Sequence, residues 1–206
     1  MEILKHPFGD YQTNCYILKF PQGQIIVDAG IGASEWVIEQ CENPLALLNT
    51  HGHFDHIWSN ASLREVFPQM PLICHQKDAF MLESDCFELG LIPSAPTHTI
   101  GVEKGSESIK IEGIDITFHH FPGHTPGCCM IEIDSHLFSG DFIFYRCIGR
   151  YDFAYSNPGD MKESLQRFKN LQRDLPIHPG HGEDTSVANE QKHTDMWITR
   201  IKEEIC

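Results

Sequence analysis

The 206-residue sequence has no surplus of basic residues, no long apolar run and no CxxC pair. Fifteen Lys and Arg stand against 29 Asp and Glu, for a formal net charge of −14. A nucleic-acid partner, which needs a basic footprint to neutralise phosphates, is therefore not expected. An anionic membrane is not expected as a partner either, because an acidic surface repels it. No apolar stretch approaches the ~18 residues that a spanning helix needs. The opening Met1-Glu2-Ile3-Leu4-Lys5-His6-Pro7 lacks a basic stretch followed by an apolar one. Export is not expected, and a cytoplasmic location is. The eight cysteines, among them the adjacent Cys128 and Cys129 and the terminal Cys206, are then expected as free thiols. There is no internal repeat or low-complexity tract, and the length fits one large domain over residues 1–206.

The hydrophobic pattern predicts strands first. Asn14–Leu18 and Gln24–Asp28 are short β-type runs separated by the turn signal Pro21-Gln22-Gly23. A helix is expected over about 33–42, with Ser34 as N-cap. Leu45–Leu48 is a continuous apolar run, as in a strand buried on both faces. Helices are expected at 57–67 and 75–84, with a strand at 71–74 between them, and 85–107 reads as a long loop over a site. Strands return at 109–112, 114–121, 128–133 and 136–139. Helices follow at about 160–173 and 185–203, with a short strand near Ile177. Two groups of strands, each followed by helices, are compatible with an α+β fold, a four-layer αββα sandwich.

What the sequence has in excess is histidine, 13 in all. His51-Gly52-His53-Phe54-Asp55-His56 packs four donor side chains into six residues just past a buried strand. At roughly 6% frequency per residue type, about 0.003 such strings are expected by chance in a chain of this length. Such a string makes a poor core, because each buried imidazole needs a partner. In a loop its side chains can converge on a cation, and imidazole with carboxylate suits zinc, iron or manganese. Three further segments set one donor among small turn residues: His124 in Pro-Gly-His-Thr-Pro-Gly, Asp141 in Ser-Gly-Asp, and His181 in Pro-Gly-His-Gly. All four segments follow predicted strands, so they can share one edge. The other eight histidines read as structural.

This ordered set resembles the metallo-β-lactamase fold superfamily. The resemblance implies an αββα fold holding two divalent metal ions, with zinc first and iron or manganese as alternatives. His51, His53 and His124 would hold one ion, Asp55, His56 and His181 the other, and Asp141 would bridge them. Asp28, in Val-Asp-Ala-Gly, resembles the residue that orients a ligand from behind. Two divalent cations would leave positive charge over after Asp55, Asp141 and a bridging hydroxide, enough to steady an oxyanion.

An Asp at position 141 argues against true β-lactamases. The run from Gly140 to Phe153 resembles that of short glyoxalase II-like thioesterases, hydroxyacylglutathione hydrolases in type. The implied activity is cleavage of a small acyl thioester of the S-lactoylglutathione type by a metal-bridging hydroxide, with Asp55 taking its proton. The implied partner is this small molecule, the chain being a monomer or small homo-oligomer. Only 25 residues follow His181, so a counterpart to the helical domain that grips glutathione in full-length relatives is not expected. Arg150, with Tyr145 and Arg146, is the expected substrate anchor. The alternatives are a persulfide dioxygenase with one iron, a lactonase, and a metal-binding protein without turnover.

Overall fold

The structure is a computed structural model that describes residues 1–205, with side chains through Ile201; Cys206 lies outside the described residues. Two six-stranded sheets form the middle of the molecule. The first comprises β1 (Glu2–Phe8), β2 (Thr13–Phe20), β3 (Gly23–Val27), β4 (Pro44–Leu48), β5 (Leu72–His75) and β6 (His98–Ile100), in that spatial order. β1 to β3 pair antiparallel and β3 to β6 parallel. The second contains β7 (Ser106–Ile111), β8 (Ile114–His120), β9 (Cys129–Ile133), β10 (His136–Gly140), β13 (Pro176–Pro179) and β14 (Thr185–Ser186), in the order β14-β13-β10-β9-β8-β7. A two-stranded ribbon, β11 (Ile143–Phe144) and β12 (Cys147–Ile148), follows β10.

Alternating side chains divide the core into three interlayer spaces, which makes four layers. Ile17, Ile26, Leu47 and Leu72 face outward from the first sheet onto Val37 of α1 (Ser34–Gln40) and Leu63 of α3 (Asn60–Val66). Their neighbours Leu18, Ile25, Leu48 and Ile73 face inward against Ile116, Phe118, Ile131 and Phe138 of the second sheet. Leu137 and Ile177, on that sheet's outer face, pack with Met161 and Leu165 of α5 (Pro158–Lys169) and with Trp197 and Ile201 of α7 (Thr194–Ile205). The αββα sandwich expected from the sequence is the observed fold. No helix among the described residues is long and apolar enough to cross a membrane.

Several local expectations are corrected. Ser34 is not a cap: it is the first helical residue, and Ala33 precedes it without a side-chain bond. The helix expected over 57–67 is two, α2 (Phe54–Ile57) and α3, because the Ser59 amide bonds to Ala29 O at 3.0 Å instead of to a helical carbonyl. The 85–107 loop contains β6, whose pairing with β5 no local pattern announces, and the first residues of β7. The helix at 160–173 begins at Pro158, where Asn157 accepts a bond from the Asp160 amide, and ends at Lys169. The last predicted helix is β14, α6 (Val187–Gln191) and α7 in succession. The described cysteines are free, as expected.

Strand ends of both sheets meet at one edge. The Cys129 amide bonds to Thr50 O at 2.9 Å, Gly180 N to Gly140 O at 2.8 Å, and Asn14 N to Gly180 O at 2.7 Å. These bonds join the turn after β4 to the start of β9, and the turn after β13 to the end of β10 and the start of β2.

Candidate metal centre

The turn after β4 and the short α2 carry His51, His53, Asp55 and His56; the turns after β8, β10 and β13 carry His124, Asp141 and His181. All seven gather at the shared edge. Donor atoms of His51, His53 and His124 lie within 4.8 Å of one another, and so do those of Asp55, His56 and His181. Asp141 stands between the sets: Oδ1 is 3.2 Å from His56 Nε2, and Oδ2 is 3.3 Å from His181 Nε2 and 3.5 Å from His124 Nε2.

Hydrogen bonds behind the rings determine which nitrogen faces the centre. His124 Nδ1–H donates to Arg150 O at 2.7 Å, and His181 Nδ1–H donates to Tyr11 O at 2.9 Å. His56 Nδ1–H donates to Asp28 Oδ2 at 2.9 Å. The Thr50 hydroxyl donates its only hydrogen to Asp28 Oδ2 at 2.6 Å, so at 3.1 Å it accepts from His51 Nδ1–H. Each of these four rings therefore presents Nε2 as a lone pair. His51 Nε2, His124 Nε2 and Asp141 Oδ1 are buried without a hydrogen-bond partner. His56 Nε2 and His181 Nε2 face each other at 3.3 Å, with Asp55 Oδ2 3.5 Å from both. Converging acceptors without a donor repel one another unless a cation lies between them. The donor set therefore fits two divalent ions, the mixed imidazole and carboxylate chemistry suiting zinc or iron.

The electrostatics agree. Burial, followed by the neighbouring His56, holds His51 well below the usual imidazole range. Burial and then His124 lower His53 to about 3, and burial also lowers His124. These rings are neutral, as ligands must be. Burial works against charge on His56 and His181, but Asp141 outweighs it and raises both. Burial disfavours the Asp141 carboxylate, yet His56 and His181 hold it well below the carboxylate range. In both rings the Asp141 carboxylate favours positive charge at the place where a cation would sit.

Asp28 joins His51 and His56 in a third cluster of donor atoms. Its oxygens are already engaged: Oδ1 accepts from Thr50 N at 2.8 Å, and Oδ2 accepts from Thr50 Oγ1 and His56 Nδ1. It orients these groups from behind. Asp28 has φ +54°, in the left-handed region that Asp tolerates better than most residues, and this points its carboxylate beneath the histidine loop. Glycine permits the close packing around the centre. A Cβ on Gly180 would overlap Asp141 Oδ1 and come within 2.7 Å of His56 Cε1.

Two positioning residues escaped the sequence reading. Thr13 Oγ1 donates to Asp55 Oδ2 at 2.7 Å, from a strand with no local mark of function. Asp78 is fully buried and accepts from Gly52 N at 2.9 Å, Thr125 Oγ1 at 2.6 Å and Gly127 N at 2.6 Å. It ties the His51–His53 turn to the His124 turn. Burial raises its pKa to about 6 against these bonds. A lone Asp beside a short helix carries no such signal in sequence.

The structure separates the three expected substrate anchors. Arg150 lines the cleft above the centre, but its Nε and Nη2 donate to Asp152 at 2.9 and 2.8 Å, and its guanidinium lies 4.1 Å from the Phe153 ring centroid. Its main-chain oxygen, which holds His124, is the atom that serves the centre. Tyr145 and Arg146 turn away, toward a separate groove with Asn189, Glu190 and His193. The Arg146 amide is held by Glu190 Oε2 at 2.9 Å, which pins the ribbon to α6.

Comparisons with known proteins agree with this geometry. The hydroxyacylglutathione hydrolase GloC of Haemophilus influenzae is 31% identical over 200 residues, covering 90% of this chain and 93% of that protein. The crystal structure of BLEG-1 B3 metallo-beta-lactamase superposes with a TM-score of 0.82 at 30% identity, covering 95% of this chain and 99% of that one. The crystal structure of TTHA1623 in a di-iron-bound form gives a TM-score of 0.74 at 29% identity, covering 91% and 96%. The family model of the metallo-beta-lactamase superfamily matches residues 8–181. Since that span takes in all seven converging side chains, the chain belongs to the metallo-beta-lactamase superfamily.

Proposed function

We propose that this protein is a metal-dependent thioester hydrolase of the glyoxalase II-like type, with two zinc ions as its resident metal and iron or manganese as alternatives. The observation that carries the reading is the pair of complete donor sets on either side of Asp141, with Nε2 lone pairs turned inward. When bound, two such cations supply Lewis acidity and lower the pKa of water, providing a nucleophile at neutral pH. The similarity to GloC over nine-tenths of both chains supports the thioester as substrate class. A one-iron dioxygenase would need only one donor set, so the second set, Asp55, His56 and His181, favours the hydrolase.

The chain's own groups have distinct tasks. Asp28 keeps His56 in the tautomer that presents Nε2. Thr13 fixes Asp55, which takes the proton of the attacking water. The apolar walls of the cleft limit access of bulk water. The departing thiolate needs no dedicated acid, because a thiol pKa near ~8.5 makes it a good leaving group.

The test is metal analysis combined with a substrate panel of S-lactoylglutathione, neutral thioesters, a lactone, a β-lactam and glutathione persulfide. Two ions per chain with thioester turnover are expected, and Asp141→Ala should lose metal and turnover together. Full activity with full metal content in that variant would remove Asp141 from its bridging role. One iron with oxygen uptake on the persulfide would point to the dioxygenase instead.

A further inference from the structure

We infer that the cleft takes thioesters whose thiol arm is neutral and apolar, in preference to the anionic glutathione arm. This rests on the thioesterase reading above and names its substrate class. The cleft measures about 800 Å³, far more than a short acyl group fills, so the larger arm of the substrate also lies inside it. Its walls include Tyr11, Phe54, Phe87, Phe144, Ile148 and Phe153, beside the donor residues and Arg150. These rings continue directly from the centre. Phe153 lies 6.0 Å from His53 and 6.1 Å from His124, Phe87 5.7 Å from His53, and Phe144 5.8 Å from His181. Outward, Phe54 meets Tyr11 at 5.3 Å and Phe87 at 6.1 Å, and Tyr155 joins Phe87 to Phe80 at 6.0 and 5.0 Å. Phe80, Phe153 and Tyr155 are exposed, although large apolar groups at a surface are costly unless something covers them.

Charge argues the same way. Among the described residues, Arg150 is the only Lys or Arg lining the cleft, and the face formed by its Nε and Nη2 is paired with Asp152. Tyr145 and Arg146, the other expected anchors, open on a different groove. A glutathione arm brings two carboxylates and an ammonium, and the rings of this wall offer them few hydrogen-bonding groups beyond the Tyr11 hydroxyl. A benzyl or alkyl arm is desolvated by it without that cost, and aromatic rings gain edge and stacking contacts as well.

The experiment compares two substrates that share one acyl group, S-lactoylglutathione and the S-lactoyl ester of benzyl mercaptan, on the zinc-loaded protein. The benzyl ester is expected to have the higher kcat/KM by about tenfold, which is ~1.4 kcal/mol, with the difference residing in KM. Phe87→Ala and Phe153→Ala should each raise KM for the benzyl ester several-fold with little change in kcat, and affect the glutathione ester less. Calorimetry of the two matching thioethers on the metal-free chain gives a second readout, in which only the benzyl compound should bind. Preference for the glutathione ester, or equal damage to both esters in both variants, overturns the inference and leaves the thioesterase reading standing. Cleavage of neither ester at full metal content overturns both.

Discussion

Replacing Asp78 by Asn separates the stability of the fold from the geometry of the centre. Asp78 is buried, and its two oxygens receive three donors from the turns that carry His51, His53 and His124. Burial raises its pKa from 3.8 to about 6 in the folded chain. At 1.36 kcal/mol per pKa unit this is ~3 kcal/mol. The sign follows from linkage. Between these two values the folded state holds the proton more tightly than the unfolded state, so stability falls as pH rises through the window. Below ~4 the side chain is neutral in both states, and above ~6 the full penalty is present.

An asparagine side chain carries no charge and has no such dependence. Its amide group must face a donor, either Gly127 N or Gly52 N. One backbone N–H then loses its acceptor, at about 1–3 kcal/mol. Urea unfolding of the metal-free proteins should show the wild type losing ~3 kcal/mol relative to the variant between pH 4 and 6, so that near pH 7 the two differ by less than about 2 kcal/mol. Metal affinity, measured by chelator competition at pH 7, should nonetheless fall at least tenfold, because the tie between the two turns is broken. An Asp78→Asn chain that binds metal as tightly as the wild type would refute the positioning role, and identical pH–stability curves would refute the buried charge.

Two further outcomes follow from the geometry. Asp28→Ala removes the acceptor for Thr50 and His56, so metal affinity should fall about 10–100-fold in the same chelator assay, with the fold retained by circular dichroism. Gly180→Ala puts a methyl group onto Asp141 and against His56; metal content by atomic absorption should drop below two per chain, with a stability cost of about 1–3 kcal/mol by thermal unfolding.

The candidate site was legible to an unusual degree because its residues come in short, dense strings. His51, His53, Asp55 and His56 stand together in one loop, and His124, Asp141 and His181 each follow a strand in a Gly-rich turn. Polar density of that kind beside apolar runs has few structural uses, so residue types and order point to the converging donor side chains without coordinates. Alternation and run length were only compatible with the layer architecture; the resemblance carried by the same strings of donors supplied it.

Tertiary structure decided the rest, because it depends on groups far apart in sequence. Asp78 is 49 residues from Gly127, and Thr13 is 42 residues from Asp55. Neither pair has a local signature. Helix ends moved where a distant acceptor competed for an amide, as Ala29 O does for Ser59. Residue type reports the charge of Arg150, but only coordinates show that it lines the cleft and pairs one face with Asp152. The kinds of side chain able to hold a cation were written in the sequence; which lone pairs turn inward, what braces them and how apolar the cleft above them is came from long-range packing, since an imidazole's tautomer and a charge's availability are set by neighbours that the chain brings together only on folding.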